Sequence, residues 1–361
     1  FFFTRKRYNS IIGYISILYL LTKRGFVKPH VASTADLDAL LCFFITAFTL
    51  CTFDFFMTKS KDSHNYFLYT LWGTIFLICA FFTKSTASFL PLPGLFLSAI
   101  IWQRKVLTDI IKHPTTWIAL VVFLGSISSY YLWRESLLQG YWEKVFTSEV
   151  QRLTKNIMPW HSHPWWFYLR YIYRYDLTYW VWLFPLGIFG FFHASSKIRD
   201  LCKYAFVFVI SYLVILSIPP VKLHWYTAPI FPIIALILGI GVYVFWEYLM
   251  KFNLTRNLNY LGSSLILLIF ICPYIQIKPS HEKPTDPLEW DGYAIRKLTK
   301  EGYSPTYKIL RQYEYPEHAD QVRFYIKQQN WFRGGNLFLI NIVNLLNTGD
   351  TVLCCQKEHI N

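Results

Sequence analysis

Long apolar blocks, separated by short polar turns, run through most of the sequence. A helix that crosses a bilayer needs about 20 mostly apolar residues, because each residue adds about 1.5 Å and the hydrocarbon core is about 30 Å thick. Nine blocks are candidates, the first of them marginal in length: 8–21, 37–57, 66–83, 87–102, 116–133, 177–192, 203–218, 226–250 and 261–277. The pattern predicts an all-α polytopic membrane bundle with about nine spans.

The composition supports the same fold class. Hydrophobic residues make up 54% of the chain and charged residues 16%, whereas a soluble domain carries about 25% charged residues. The formal net charge of +14 is spread over short loops and does not form one basic patch. Positive charge in cytoplasmic turns and contact with anionic lipid explain it better than nucleic acid does. We therefore expect membrane lipids, and no nucleic acid, among the partners.

The charges also suggest a topology. If residues 5–7 face the cytoplasm and the spans alternate, the turns on that side are all basic, at Lys59 and Lys61; Arg104, Lys105 and Lys112; Lys197, Arg199 and Lys203; and Lys251 and Arg256. This agrees with the positive-inside rule, although the basic segment 22–35 fits it less well. The opposite face then collects the polar clusters that suggest chemistry.

The composition changes after Lys278. Three prolines at 279, 284 and 287 mark a linker, and the remainder has fewer apolar runs. We predict a membrane domain at 1–278 and a small extracytoplasmic soluble α/β domain at 279–361, with a helix at 290–302 and strands at 306–310 and 351–355.

The loop between the fifth and sixth blocks is both polar and aromatic. Residues 149–168 contain a glutamate, an arginine, a His-x-His pair and two adjacent tryptophans. Aromatic rings of this kind settle where membrane meets water, so an interfacial anchor is one interpretation. A site for an anionic, partly apolar substrate is the other. The His-x-His pair alone is weak evidence for zinc.

Several cationic residues share the predicted outer face. Their ammonium, guanidinium and imidazole groups are able to donate charge-assisted hydrogen bonds to phosphate oxygens. Phosphate at a membrane surface indicates a lipid phosphate, and a sugar that leaves it requires stabilisation of the negative charge. For each cation alone, snorkelling to the interface is an equal alternative. The candidates are Lys84, Arg152, His161, His163, Lys222 and His224.

An aspartate opens the second block. Asp38 at the start of a span complements the helix dipole, which is a purely structural role. Its functional interpretation is a catalytic acid that orients an acceptor hydroxyl, or a metal ligand. A divalent metal ion bound by Asp38 and His161 is therefore one possible cofactor, and we expect no organic cofactor.

Taken together, the motifs resemble a known family. They are DLDALL at 36–41, TKS at 83–85, ExxR at 149–152 followed by HxHPWWFY at 161–168, and KLHWYxxPxxP at 222–232. In this order, over residues 8–278, they resemble the dolichyl-phosphate-mannose-protein mannosyltransferase-like family, which includes the lipid A aminoarabinose transferases.

The resemblance implies a multispanning glycosyltransferase of the GT-C fold. Such enzymes transfer a sugar from a polyprenyl phosphate to a lipid or protein acceptor, at a site facing away from the cytoplasm; in bacteria this is the outer face of the inner membrane. Carried onto this sequence, the resemblance assigns the acid to Asp38. It assigns substrate contacts to Lys84, Glu149, Arg152, His161, His163, Tyr168, Lys222 and His224.

Two departures from the family pattern shape the expectation. The family has a first span and a large first extracytoplasmic loop with an acidic general base, which would precede residue 1. It also has a further span where this chain has only the polar residues 22–35. We therefore expect a truncated or internally deleted copy.

Two other functions were considered. One is a transporter or flippase for a lipid-linked sugar, which would place charge at mid-membrane and show inverted repeats or broken helices. The acids of the spans, Asp54 and Glu247, instead lie near predicted cytoplasmic ends. The other is a non-catalytic remnant of the glycosyltransferase family.

Overall fold

The computed structural model describes residues 1–22, 26, 31, 37–58, 63–154, 161–177, 183–251, 290–302, 306–310, 320–340 and 346–354. The chain divides into two compact units, Phe1–Ile277 and Lys278–Asn361.

Described elements of the first unit are helical. The α-helices are α1 Phe2–Arg7, α2 Ser10–Thr22, α3 Leu37–Met57, α4 Ser63–Lys84, α5 Leu92–Trp102, α6 Arg104–Lys112, α7 Pro114–Leu137, α8 Tyr141–Thr154, α9 Phe167–Tyr171, α10 Phe184–His193, α11 Ser196–Ser217 and α12 Phe231–Met250. Short 3₁₀ segments at Ser85–Phe89 and His224–Ile230 and a π-helical turn at Ile172–Leu177 connect some of them.

The predicted polytopic membrane class is confirmed, but the count of nine spans is not. Within the described part of the chain, five helical segments are long and apolar enough to cross a bilayer: Leu37–Met57, Asn65–Phe89, Pro114–Leu137, Ser196–Ser217 and His224–Met250. Three apolar helices, α2, α5 and α10, are shorter. The predicted block 261–277 lies outside the described residues.

Prolines explain why two predicted blocks form shorter helices. Proline lacks an N–H and is tolerated best in the first turn of a helix, so it tends to mark where a helix begins. Pro91 is the N-cap of α5, and Pro93 lies in its first turn. Pro185 lies in the first turn of α10. Helix α5 accordingly begins at Leu92 and α10 at Phe184, later than the predicted block starts at 87 and 177.

Helix α12 forms the centre of the bundle. Of its most apolar window, 83% is buried inside the protein. Two glycines permit close approach to its neighbours: a Cβ at Gly239 would lie 2.8 Å from the Ile12 carbonyl oxygen of α2, and one at Gly241 would lie 2.4 Å from the Leu186 carbonyl oxygen of α10. Small residues commonly allow such contacts between helices in membranes.

A polar cluster lies at one end of the bundle. The Arg7 guanidinium donates to the Asp54 carboxylate at 2.8 Å and to the Tyr69 hydroxyl at 2.7 Å, and the Tyr69 hydroxyl donates to Asp54 at 2.8 Å. Asp54 lies in the last turn of α3, so this cluster is at the opposite end of that helix from Asp38. It accounts for the acid at position 54 by pairing it with a cation.

The second unit contains three parallel strands, β1 Lys308–Leu310, β2 Phe338–Ile340 and β3 Val352–Cys354, in the order β2-β1-β3. Helices α13 Trp290–Lys300 and α14 Asp320–Arg333 accompany them. The predicted α/β class is confirmed, and the predicted helix and two strands are present in slightly shorter form. The prediction missed α14 and β2. The core comprises Ile295, Tyr307, Ile309, Val322, Ile326 and Leu337.

Candidate functional site

An ion pair joins the ends of two helices. Asp38 lies in the first turn of α3, and Lys84 is the last residue of α4. The Lys84 ammonium lies 2.5 Å from one Asp38 carboxylate oxygen and 2.7 Å from the other. The Asp38 side chain is only 6% exposed and that of Lys84 27%. Asp38 therefore combines the predicted helix-dipole position with a largely buried ion pair.

The chain turns sharply just after Lys84. Ser85 has a φ of +41°, a left-handed conformation that no other non-glycine residue adopts in the described parts of the chain. Such a conformation costs of order 1–3 kcal/mol and persists only where the surroundings impose it. The Ser85 carbonyl accepts a 2.8 Å bond from the buried Ser88 hydroxyl. This contact fixes the turn that ends α4 at Lys84.

The next residue connects the turn to a second acid. The Thr86 hydroxyl donates to the Glu149 carboxylate at 2.6 Å. Glu149 belongs to α8, so residues 84–86 link α3 on one side to α8 on the other. Two of the sequence-predicted acids, Asp38 and Glu149, thus meet the same short segment.

Two distant loops pair at this end of the bundle. Ser162 and Val221 form an antiparallel bridge. The Lys222 N–H donates to the His161 carbonyl at 2.9 Å, and the His163 N–H donates to the Pro220 carbonyl at 3.2 Å. The His-x-His motif and the Lys-x-His motif, about 60 residues apart in the sequence, are therefore neighbours in the structure.

The buried Lys222 side chain stabilises this pairing. The residue is 2% exposed. Its ammonium donates to the His163 carbonyl at 3.0 Å and to the Pro219 carbonyl at 2.5 Å. Burial lowers the pKa of Lys222 below its ordinary value. Both hydrogen bonds are charge-assisted; the bond to His163 joins the two loops, and the bond to Pro219 lies within the loop of Lys222 itself.

The protonation of His163 is also disfavoured. Its pKa lies below the ordinary value because of burial, with smaller contributions from the positive charges of His161 and Lys222. The neutral imidazole stacks on Phe167, with ring centres 4.1 Å apart and planes at 7°.

Stacked rings continue from His163 to the second loop. Phe167 stacks on Tyr171 at 5.7 Å, and Tyr171 stacks on His224 at 5.0 Å. This ladder is produced by the spacing 163, 167 and 171, which places successive rings on one side of the first turns that follow the loop.

The ladder leads back to the ion pair. His224 packs edge-on against Trp225, with ring centres 4.7 Å apart. Tyr226 follows, and the Lys84 ammonium lies 4.9 Å from the centre of the Tyr226 ring. This distance is within the range of a cation–π contact. Lys84 is therefore held by a carboxylate and an aromatic face.

Tyr168 lies beneath these loops and is buried. Burial, and to a lesser degree the neighbouring Tyr226, raises its pKa above the ordinary value for tyrosine. The phenol therefore stays protonated.

The predicted site residues converge at one end of the bundle, with one exception. Contacts join Asp38, Lys84, Glu149, His161, His163, Tyr168, Lys222 and His224, either directly or through Thr86, Tyr171 and Tyr226. Arg152 is in the last turn of α8, but its side chain lies outside the described residues. Sequence reasoning did not single out Thr86 and Tyr171. Thr86 directly follows the Thr-Lys-Ser motif, and Tyr171 continues the four-residue spacing of His163 and Phe167; these were the signals in the sequence.

The predicted metal at Asp38 and His161 remains a prediction. In the described part of the chain, no group of three or more His, Cys, Asp or Glu side chains is arranged around one point. Two ligands are fewer than the three or four protein ligands of a typical zinc site. The Asp38 carboxylate also faces an ammonium group at both oxygens. The residues therefore suit an ion pair better than a metal.

The described helices define a polytopic helical membrane protein. No family model and no curated protein matches the sequence. Among solved structures, the chain is similar to ArnT from Cupriavidus metallidurans bound to undecaprenyl phosphate, with a TM-score of 0.57 and 13% sequence identity. The match covers 95% of this chain and 69% of that one. At this identity the likeness concerns the fold, and it confirms the fold that the motif resemblance implied.

Proposed function

We propose that the protein is a membrane glycosyltransferase that takes a sugar from a polyprenyl phosphate donor. The observation that carries this proposal is the fold, which over 95% of the chain resembles that of ArnT bound to undecaprenyl phosphate. The ion pair and the paired loops at one end of the bundle supply the groups that such a reaction requires.

The chemistry follows from the charges that change during transfer. An acceptor hydroxyl attacks the anomeric carbon of the sugar, the bond from that carbon to the phosphate oxygen breaks, and the polyprenyl phosphate leaves with the electron pair. The departing phosphate gains negative charge, which the Lys84 ammonium would stabilise. The hydroxyl loses a proton, for which the Asp38 carboxylate is the acceptor.

The Asp38–Lys84 pair would exchange partners when the donor binds. In the structure the Lys84 ammonium occupies both oxygens of Asp38. A phosphate that draws Lys84 towards itself would release Asp38 to accept a proton from the acceptor. Tyr226 gives Lys84 a second partner that does not compete for the carboxylate.

The position of the site in the bundle supports an active site that faces away from the cytoplasm. Asp38, Lys84 and the paired loops lie at the end of the bundle opposite the Arg7–Asp54 cluster. The turns at the Arg7 end carry the basic residues that the positive-inside rule assigns to the cytoplasm, including Arg104, Lys105 and Lys197. We place the acceptor, a lipid or a protein, and the second unit on the outer face of a bacterial inner membrane or its equivalent.

Sugar transfer in proteoliposomes tests the proposal. The purified protein is mixed with a panel of radiolabelled polyprenyl phosphate sugars and a membrane extract as acceptor, and label in new products is measured. We expect transfer from one donor. Asp38→Asn and Lys84→Gln should each lower the rate, by about 10²–10⁴-fold for loss of an acid–base group. Lys203→Gln, which breaks a pair with the exposed Asp200 at the other end of the bundle, should leave the rate unchanged. Equal rates in all four proteins, or no transfer from any donor, would contradict the proposal.

A further inference from the structure

Helix α8 has an exposed apolar stripe that lies between the face packed on the bundle and the polar face. Trp142, Phe146 and Val150, four residues apart, are 53%, 61% and 39% exposed. Residues four apart lie on one face of a helix. The Trp142 and Phe146 rings stack on each other, with their planes at 17°. The stripe is therefore one continuous surface.

The other two faces of α8 have different surroundings. Tyr141, Val145 and Glu149 are half-buried and face the bundle: Arg134 lies over the Tyr141 ring at 4.8 Å, and Glu149 accepts from Thr86. The remaining face carries exposed polar residues, Glu143, Lys144, Thr147 and Ser148. One face on protein, one apolar and one polar is the pattern of a helix that lies in a membrane interface.

The start of α8 is rigidly attached to the preceding helix. The Glu135 carboxylate accepts from the Gly140 N–H at 2.8 Å and from the Trp142 N–H at 2.7 Å. The Gly140 φ of +80° allows the sharp turn between the helices. Tyr131 of α7 packs edge-on against Trp142 at 5.1 Å. These contacts set the direction in which the stripe faces.

The stripe follows in sequence on the exposed apolar surface of α7. Helix α7 is long and apolar enough to span a bilayer, and only 6% of its most apolar window is buried inside the protein. Near its end, Leu132, Trp133 and Leu137 are exposed, and Leu138 in the turn is exposed as well. Trp142 and Phe146, the next large apolar side chains along the chain that are exposed, follow in α8. A lipid surface is the partner that matches both helices.

We propose that α8 is an interfacial helix whose Trp142–Phe146–Val150 stripe is seated in the lipid leaflet at the Asp38–Lys84 end of the bundle. Tryptophan and phenylalanine are typical of the apolar face of such helices, and a depth of about 5–10 Å below the headgroups is usual. One consequence rests on the proposed function: the lipid surface would set the position of Glu149, and through Thr86 that of the turn after Lys84.

Spin-label accessibility tests whether the stripe lies in lipid. Phe146→Cys and Ser148→Cys are each labelled with a nitroxide in a variant lacking the native cysteines, reconstituted in lipid nanodiscs. Positions two apart on a helix point in nearly opposite directions, so Ser148 is the matched control. We expect the label at 146 to be more accessible to oxygen, which concentrates in the bilayer, than to a water-soluble nickel chelate, and the label at 148 to show the reverse.

Two outcomes would overturn the proposal. Equal nickel accessibility at both positions would place the stripe in water. Protection of position 146 from both reagents would mean that protein covers it, either a second copy or the second unit. Should the cysteine-free variant not fold, a phospholipid with a photoreactive acyl chain is crosslinked to the unmodified protein, and label on residues 141–151 is sought by mass spectrometry. Absence of label there, with label present on α7, overturns the proposal equally. None of these readouts depends on sugar transfer, so they fail or succeed separately from the proposed function.

Discussion

Lys84 has two partners of different kinds, a carboxylate and an aromatic ring. Its ammonium bonds to both oxygens of Asp38 and lies over the ring of Tyr226. Removing one member of a buried ion pair leaves the other charge uncompensated, which commonly costs about 3–5 kcal/mol in a fully buried setting. Lys84 is partly exposed, so a smaller loss is expected.

A double-mutant cycle would measure this coupling. Asp38→Asn and Lys84→Gln should each lower the thermal midpoint in detergent, and the double variant should lose less than the sum of the two. The pair of Lys203 and Asp200 provides the control cycle: Lys203 is as exposed as Lys84, but its partner Asp200 is exposed, so the coupling should be below about 1 kcal/mol. Additive losses at Asp38 and Lys84 would mean that the two residues do not stabilise each other.

His163 makes the loop pairing sensitive to acid. Its pKa is lowered from the ordinary 6.5 in the folded protein. Above pH 6.5 the folded and unfolded states both hold it neutral; below that value the unfolded state binds the proton more readily, so stability falls with falling pH.

Replacing the imidazole by an uncharged ring should remove this dependence. His163→Phe keeps the stack on Phe167, and its thermal midpoint should fall less than that of the wild type between about pH 7.5 and pH 5. His193→Phe is the matched control, because His193 stacks on Phe189 at 4.1 Å in the same manner. A wild-type pH dependence in His163→Phe would show that another group titrates.

At the scale of residues, the sequence predicted which side chains share one end of the bundle better than which contacts they make there. Asp38, Lys84 and the two histidine motifs were evident because polar residues are rare beside spans. Their partners were not evident, since the bridge between Ser162 and Val221 joins segments that share no local pattern. The left-handed Ser85 gave no signal either, because glycine or asparagine is usual at such positions.

Among the elements, the packing of α10 against α12 depends on paired glycines. A Cβ at Gly190 would lie 2.8 Å from the Gly241 Cα, and one at Gly241 would lie 2.4 Å from the Leu186 carbonyl oxygen. Both distances are with backbone atoms, which cannot move aside as a flexible side chain does.

Gly241→Ala should therefore destabilise the bundle. Overpacking of this kind typically costs about 1–3 kcal/mol, which a lower thermal midpoint would show. Gly125→Ala in α7 is the matched control: nothing lies within 4 Å of a Cβ there, so the midpoint should stay the same or rise slightly, because alanine favours helix. Equal effects of the two substitutions would indicate that α10 and α12 separate readily.

The sequence predicted the long apolar helices, but not always where they begin. The predicted blocks match α3, α4 and α7 to within four residues at each end, whereas α11 begins at Ser196 and α12 at Phe231 against predicted starts at 203 and 226. Where prolines lie inside an apolar block, as before α5 and α10, the helix begins at the proline and not at the start of the block. Helix α14 was missed because residues 320–333 carry many charged and amide side chains, and β2 was missed although it lies in the apolar run 337–340.

For the molecule as a whole, the two ends of the bundle have different characters. One end holds the Arg7–Asp54–Tyr69 cluster and the basic turns. The other holds the Asp38–Lys84 pair, the paired loops and the aromatic ladder. Alternation of basic turns along the sequence predicted this division, because successive spans reverse direction. Contacts within each end could not be predicted, since they join loops that are far apart in the chain.

The central claim is that a polyprenyl phosphate binds at the Asp38–Lys84 end. Photocrosslinking measures this most directly: a polyprenyl phosphate with a photoreactive group beside the phosphate is bound to the protein in nanodiscs, and labelled peptides are identified. We expect label within 83–89, 161–171 and 219–226, and less label when undecaprenyl phosphate is present in excess. Label confined to the Arg7–Asp54 end, or label that undecaprenyl phosphate does not compete away, would contradict it.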